Sequence, residues 1–311
     1  MTKVITTIIP IFMLIGLGAG VRRLGFIEDE FVRAANRLVF FLAIPALVFR
    51  ALSRASSLHS EFDSGSVFMM VLAVLIVGGI AVFCNWRRGG KERALAGTFA
   101  QASIHGNLGY IGLAVSFYYL DESGFARTSM LVGFLMILQN LLGVIFLQVY
   151  CGGSERKGCG FRDLFSRVLL NPVILAAIGG IIFNLSRLPM PEIGDRFLMI
   201  LSGMALPMGL LLIGSSITPA LLRRWLPQAF QIAFLKLFLL PAVAVALFRW
   251  GGIESANLVP VIILLAAPTA TLTYVMAREM GGHVDLAVAS VSLTTMLSAF
   301  SYALWLGWLT S

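Results

Sequence analysis

Ten long apolar runs constrain this chain more than any other feature of its sequence. A helix of roughly 17–25 apolar residues crosses a bilayer core about 30 Å thick, and runs of that length recur throughout the sequence. The runs are 4–21, 35–52, 67–86, 94–120, 128–150, 168–185, 197–217, 228–248, 257–279 and 286–309. Only 12% of the residues are charged, against about 25% in a soluble domain. The sequence therefore predicts an all-α polytopic membrane protein with ten transmembrane helices.

The basic residues predict the orientation of these spans. Fifteen of the 23 lysines and arginines fall in loops that follow odd-numbered spans, which the positive-inside rule assigns to the cytoplasm. Both termini are then expected on the external side of a cell inner membrane. The net charge of +8 does not indicate a nucleic-acid-binding protein, because the basic residues are spread over short clusters. Arg22 and Arg23 follow the first run directly, so we interpret it as a retained span and not as a cleaved signal peptide.

The cysteines do not predict a metal site. Cys151 and Cys159 lie in one loop without a nearby histidine, which does not complete a tetrahedral zinc site. We expect no metal and no other cofactor.

The longest cytoplasmic connector, residues 151–167, divides the chain into two sets of five spans, 1–150 and 168–311. Because five is an odd number, the second set is inverted relative to the first. Weak internal similarity supports this, since an Arg-Leu pair precedes an Ala-Ile-Pro or Ala-Leu-Pro run in both the second and the seventh span. Paired interrupted helices in inverted halves are typical of transporter binding sites. The fourth and ninth spans are the two candidates.

In the fourth span, three glycines and several polar residues coincide near the middle of the membrane. The run reads His105-Gly-Asn107-Leu-Gly109-Tyr110-Ile-Gly112, and each glycine weakens a helix by about 1 kcal/mol relative to alanine. An interrupted backbone at this depth is tolerated where it is buried or lines a cavity, and the half-helix that follows favours an anion at its N-terminus. Close helix packing through the glycines is the alternative. His105 could titrate near physiological pH or be a satisfied structural histidine.

The ninth and fifth spans supply further polar residues. Pro268 removes a helical donor, and Thr269 and Thr271 beside it could satisfy freed carbonyls or contact a substrate. A simple proline kink is the alternative. Span nine holds no carboxylate near its centre, so a sodium site built on side-chain charge is not predicted. In span five, Gln139 and Asn140 either line a cavity or form hydrogen bonds between helices.

Lys236 is the only charged residue near the middle of any span, and no acidic residue shares the membrane with it. It lies about twelve residues from Arg224 and from Arg249, which places it near the bilayer midplane. A cation there costs about 2.5–3.5 kcal/mol on insertion scales. Three interpretations remain open: contact with an anionic substrate, capping of the carbonyl ends of the broken helices, and snorkelling to the surface.

The order of several motifs along the chain resembles the auxin efflux carrier family, also called PIN-like. The matching motifs are Arg23-Leu24-Gly25, Leu42-Ala-Ile-Pro45-Ala-Leu, Asn107-Leu-Gly109-Tyr110-Ile-Gly112, Asn171-Pro172, Lys236-Leu237 with Pro241, and Ala267-Pro268-Thr269-Ala270. The resemblance implies a 5+5 inverted repeat in which spans four and nine cross at their breaks. It also implies a scaffold of spans 1, 2, 6 and 7, a transport domain of spans 3–5 and 8–10, and an elevator-like motion in a fold similar to bile acid/sodium symporters. Plant relatives export the auxin anion, and bacterial relatives are associated with small carboxylates such as malate or malonate.

Together these features predict a secondary transporter for a small organic anion, a mono- or dicarboxylate, and not an enzyme. The expected substrate-binding residues are Asn107, Gly109, Tyr110, Gln139, Asn140, Pro268, Thr269 and Thr271. Lys236 and His105 are the candidates for charge compensation or coupling. Coupling to protons, to the membrane potential or to neither remains open, and a homodimer through the scaffold is plausible for such a fold. The alternative function is a membrane sensor or receptor without transport.

Overall fold

The computed structural model of the chain describes residues 2–55, 63–87, 92–151, 170–253 and 255–309. Every regular element within these ranges is a helix, and one isolated β-bridge joins Gly106 to Thr269. This confirms the all-helical prediction. The greater part of the predicted connector, residues 152–167, lies outside the described residues.

Within the described residues, the first half of the chain contains seven α-helices and two π-helical turns. They are α1 (Thr2–Arg23), α2 (Asp29–Leu38), π1 (Val39–Ala43), α3 (Ile44–Ser53), α4 (Ser64–Arg87), α5 (Arg93–Ile104), π2 (Leu108–Gly112), α6 (Leu113–Tyr119) and α7 (Glu122–Cys151). The predicted fourth span is thus divided between α5 and the helix formed by π2 and α6.

The described part of the second half contains eight α-helices and one π-helical turn. They are α8 (Pro172–Leu185), α9 (Glu192–Gly203), α10 (Ala205–Ser215), α11 (Pro219–Phe234), π3 (Leu235–Leu239), α12 (Leu240–Trp250), α13 (Ser255–Leu265), α14 (Leu272–Met280) and α15 (Val284–Leu309). The predicted ninth span is divided between α13 and α14.

Seven stretches of the described residues are long and apolar enough to cross a membrane. They are Thr2–Arg23, Asp29–Ser53, Ser64–Asn85, Glu122–Cys151, Glu192–Ser215, Leu221–Trp250 and Val284–Leu309. Leu108–Tyr119 and Pro172–Leu185 are shorter apolar helices. These helices make the chain a multi-span membrane protein, whereas the count of ten spans and the inverted repeat stay predictions.

The chain forms two compact units. The first comprises the described residues within Met1–Asp63, Gly109–Phe134 and Arg167–Ser216, and the second those within Ser64–Leu108, Leu135–Ser166 and Ile217–Ser311. Along the chain, a segment of the second unit ends at Leu108 and the first unit resumes at Gly109, so this boundary lies inside π2. Both breaks, at 105–107 and at 266–271, therefore lie in the second unit.

Close helix packing through glycines holds the first unit together. A Cβ atom at Gly18 of α1 would overlap the Leu211 carbonyl of α10, and one at Gly214 of α10 would overlap the Ile15 carbonyl of α1. Small residues of this kind let two backbones approach closely in a membrane, where association depends on van der Waals packing. The two helices therefore require glycine at both positions.

In the second unit, α11 packs against α15 through small and aliphatic side chains. The buried residues of this contact are Ala229, Ala233, Leu237, Ala289 and Leu293. Leu237 belongs to π3, which directly precedes Pro241 of α12. Because proline has no backbone N–H and clashes with the preceding turn, a wider turn at this point accommodates it. The same order occurs at π1 and Pro45.

Candidate functional site

The two broken helices meet at their breaks inside the second unit. The amide of Asn107 donates to the carbonyl of Pro268 over 2.7 Å, and the amide of Ala270 donates to the carbonyl of His105 over 2.9 Å. These bonds flank the antiparallel bridge between Gly106 and Thr269. We call the two non-helical segments, residues 105–107 and 266–271, the crossover. Its bridge replaces helical hydrogen bonds that are lost where the helices break.

Side chains from neighbouring helices brace the crossover. The Gln139 side-chain oxygen on α7 accepts from the amide of Gly106 over 3.0 Å. The Thr269 hydroxyl donates to the carbonyl of Ala102 over 2.9 Å, while the Thr269 amide donates to the Thr294 hydroxyl over 3.0 Å. Gln139 is 1% exposed and Thr269 is 0% exposed. Both predicted site residues therefore hold the backbone of the breaks in place.

Thr294 was not among the residues predicted from the sequence, although a signal for it exists. The tenth span carries several serines and threonines in an otherwise apolar run, and the structure buries Ser290, Ser292, Thr294, Thr295, Ser298 and Ser301. Small polar side chains at membrane depth form hydrogen bonds between helices. A serine- and threonine-rich span next to an interrupted helix could have been interpreted as its support.

Lys236 is fully buried, and its ammonium donates to the carbonyl of Leu265 over 2.7 Å. Leu265 is the last residue of α13, the half-helix that enters the second break. A Cβ atom at Gly106, in the first break, would lie 3.0 Å from the Lys236 Nζ. The side chain thus points into the crossover and caps a carbonyl end, as the second of the three sequence interpretations described.

The N-terminal end of α14 offers hydrogen-bond donors. Within the described residues, the amides of Thr271 and Leu272 have no hydrogen-bond acceptor. Thr271 is partly exposed and Leu272 is 41% exposed. The start of a helix carries the equivalent of about half a positive charge, so this end of the crossover can bind an anion. Asn107 is 5% exposed. Its backbone amide donates to the carbonyl of Pro268, which precedes Thr271 by three residues.

Some buried polar atoms beside the crossover have no hydrogen-bond partner among the described residues. They are the Nδ1 atom of His105, the Nε2 atom of Gln139, the Oε1 atom of Gln101 and the hydroxyl of Thr273. Most buried polar groups in folded proteins are paired. These four atoms therefore give the second unit unused donors and acceptors near the crossover.

The remaining predicted site residues have other contacts. Gly109 and Tyr110 fall in the first unit, where the Tyr110 hydroxyl donates to the Asn36 side-chain oxygen over 2.9 Å and the ring lies against Gly209. The Asn140 amide group donates to the carbonyl of Met136 in its own helix over 2.8 Å. The structure therefore brings Asn107, Gln139, Pro268, Thr269 and Thr271 together with His105 and Lys236.

Two surface cavities of the described residues lie in the first unit, away from the crossover. One, of about 150 Å³, lies in the first unit and is lined by charged and apolar residues, among them Arg50, Arg54 and Glu122. Asp195 bonds to Arg50 over 2.9 Å and to Arg54 over 3.4 Å. Among the described residues, no group of three or more His, Cys, Asp or Glu side chains could hold a metal ion.

Comparison with known proteins gives the family. The model of the family described as "Membrane transport protein" matches residues 3–152 and 162–306. The chain is 28% identical over 303 residues to an "Uncharacterized transporter" of Methanothermobacter thermautotrophicus, with 96% of both chains covered. It is 25% identical over 302 residues to a "Putative malonate transporter" of Rhizobium meliloti, covering 96% of this chain and 93% of the relative. It is also 24% identical over 310 residues to the "Uncharacterized transporter YfdV" of Escherichia coli K12, covering 96% and 94%.

The family match extends over nearly all of both predicted five-span halves and includes the crossover. The relatives are transporters and not enzymes. Together with the apolar helices, these findings show that the chain belongs to the membrane transport protein family, which contains the auxin efflux carriers, and that it is a membrane transporter.

Proposed function

We propose that this transporter moves a small organic anion, a mono- or dicarboxylate, which binds at the crossover of the second unit. The observation that carries the proposal is the start of α14, where the amides of Thr271 and Leu272 have no acceptor among the described residues. A carboxylate accepts hydrogen bonds from two adjacent amides, as anions do at helix N-termini. The malonate in the name of the Rhizobium meliloti relative supports a dicarboxylate.

The charges around the crossover favour an anion. The acidic residues of the sequence lie outside the apolar runs or at their ends, so no fixed negative side chain near mid-membrane repels a carboxylate. The positive end of the α14 dipole begins at the partly exposed Thr271, and the ammonium of Lys236 lies close to Gly106 of the first break. The Asn107 side chain adds an amide that can donate to a carboxylate oxygen.

For the transport cycle we propose an elevator-like alternation in which the second unit carries the anion and the first unit is the scaffold. The membership of the units supports this, because α1–α3 and α8–α10 belong to the first unit and both breaks to the second. Exposed apolar residues of the first unit, such as Ile193 at 85% and Ile200 at 75%, supply a face for lipid or for a second protomer of a homodimer. The basic loops support an inner-membrane location with external termini.

Proline substitution at Thr271 tests the anion site directly. Thr271 has a φ of −60°, which matches the angle that proline fixes, so Thr271→Pro removes one amide donor without changing the backbone angle. A hydrogen bond to a charged group contributes about 1.5–3 kcal/mol, and its loss should weaken anion affinity by roughly 10- to 100-fold. Thr271→Ala is the matched control, since it removes the hydroxyl and keeps the amide.

The measurements are uptake of radiolabelled malonate, malate and monocarboxylates into proteoliposomes, and the thermal stabilisation of purified protein by the same anions. Thr271→Pro should lose most of the anion-dependent stabilisation while keeping the unliganded melting temperature close to that of wild type, and Asn107→Ala should weaken the anion-dependent stabilisation. Wild-type anion affinity in Thr271→Pro would refute the site. Failure of the wild type to move any carboxylate in either direction would refute the substrate class.

A further inference from the structure

The carbonyl end of α13 has a complete set of donors. The last four carbonyls of an α-helix have no partner within the helix, and at membrane depth each of them must find one. Two of these carbonyls accept from backbone amides just beyond the helix: the Ile262 carbonyl from Ala266 and the Leu264 carbonyl from Ala267. The other two accept from side chains. The Tyr302 hydroxyl donates to the Ile263 carbonyl, and the Lys236 ammonium donates to the Leu265 carbonyl. Three of the donors are neutral, and the fourth is a cation.

The cation occupies the terminal carbonyl, where the negative end of the helix dipole is strongest. The C-terminus of a helix carries the equivalent of about half a negative charge. In transporters with broken helices, such carbonyl ends coordinate Na⁺. The ammonium of Lys236 supplies the same unit of positive charge and donates directly to the carbonyl oxygen over 2.7 Å.

The ammonium that caps this carbonyl also lies close to the backbone of the first break. A Cβ atom at Gly106 would lie 3.0 Å from the Lys236 Nζ and 3.3 Å from its Cε. The ammonium is therefore held between the end of α13 and the backbone of the first break. Lys236 is 0% exposed, and within the described residues it has no acidic partner. The Leu265 carbonyl thus already has a cationic partner.

From this geometry we propose that the ammonium of Lys236 is the resident cation of the crossover and replaces a bound inorganic cation, so that anion transport proceeds without sodium. The inference rests on the proposed function only in that the transported solute is an anion. The Lys236 ammonium holds the two breaks together whatever solute is transported. Lys236 is in this sense a positioning residue. It fixes the carbonyl end of α13 and the Gly106 backbone, and the second break leads from there to the amides of α14.

Chemical rescue tests the role of the charge. Lys236→Ala removes the three outer methylenes and the amine, a fragment that n-propylammonium restores. The melting temperature of Lys236→Ala should fall by roughly 5–15 °C, as expected for emptying a large buried site. Addition of n-propylammonium should recover a large part of this loss. The neutral isostere n-propanol should recover much less, because it fills the volume without supplying the charge.

The wild-type protein provides a second test that does not depend on any variant. Its melting temperature should change by less than about 1 °C when choline chloride is replaced by NaCl at constant ionic strength, because a cation that does not bind the folded state does not stabilise it. Uptake of the transported anion should likewise be equal in both salts. If Lys236→Ala does not yield folded protein, this comparison still decides the proposal.

Three results would overturn the inference: a wild-type melting temperature in Lys236→Ala, equal rescue by n-propanol and n-propylammonium, or a wild type whose stability or uptake requires sodium. The melting experiments contain no organic anion. A melting result that contradicts the role of Lys236 can therefore be told apart from a wrong substrate class. A wrong substrate class would appear only in the uptake assay.

Discussion

The indole of Trp305 compensates for a proline at the depth of Lys236, and this gives a quantitative prediction. Pro241 has no N–H, so the carbonyl of Leu237, four residues earlier, loses its helical donor. The Trp305 indole N–H donates to that carbonyl over 2.9 Å, and Leu237 is 0% exposed. Trp305→Phe keeps an aromatic ring but leaves a buried carbonyl without this donor.

Leaving a buried acceptor unsatisfied costs about 1–3 kcal/mol. For a domain of roughly 150–250 residues, each 1 kcal/mol corresponds to about 2–4 °C in melting temperature. Trp305→Phe should therefore lower the melting temperature of the purified protein by roughly 2–12 °C, measured by intrinsic fluorescence or by calorimetry in detergent. Trp250→Phe is the matched control, since Trp250 is 81% exposed and substitutions at exposed sites usually change stability by less than about 0.5 kcal/mol.

A double-mutant cycle identifies the cause. Pro241→Ala restores an amide that can donate to the Leu237 carbonyl, so Trp305→Phe should cost less in that background than in the wild type. Coupling energies of about 0.5–3 kcal/mol are typical of directly interacting groups. An equal cost of Trp305→Phe in both backgrounds, or a cost no greater than that of Trp250→Phe, would refute the reasoning.

Two further predictions concern the first unit. Gly18→Ala should lower the melting temperature, because its methyl group would overlap the Leu211 carbonyl and overpacking costs about 1–3 kcal/mol. Its control is Gly20→Ala, which has no heavy atom within 4 Å of the new Cβ and should be neutral or slightly stabilising. Equal melting temperatures of the two variants would contradict the close contact at Gly18. Asn171→Ala should destabilise by about 0.5–2 kcal/mol through loss of the N-cap bond to the Val173 amide, whereas Asn171→Ser should keep most of the stability, and thermal unfolding of the two variants distinguishes them.

The sequence predicted the elements of the fold well because burial in a membrane leaves few choices. Apolar runs of sufficient length must form helices, since every backbone polar group needs an internal partner in lipid, and the observed helices follow the predicted runs. The glycines around Asn107 and the proline at 268 predicted where two of these helices break. Both local signals act within one turn of helix, so they are visible without any knowledge of the neighbours.

The contacts of the crossover could not be predicted in the same way. Thr294 lies 25 residues from Thr269 in the chain, and Trp305 lies 68 residues from the Leu237 carbonyl, so no local pattern pairs them. Tyr110 was predicted beside Asn107, yet its hydroxyl bonds to Asn36 in the first unit.

The sequence by itself determined that the chain spans a membrane, where two of its helices break, and that one lysine falls inside an apolar run. These properties follow from the transfer of each segment into lipid, which depends on the residues of that segment alone. Only the tertiary structure decided that the Lys236 ammonium meets the Leu265 carbonyl and that the two breaks bond to each other. The physical reason is that hydrogen bonds are short and directional, so a partner is chosen by the packing of distant helices and not by the order of residues along the chain.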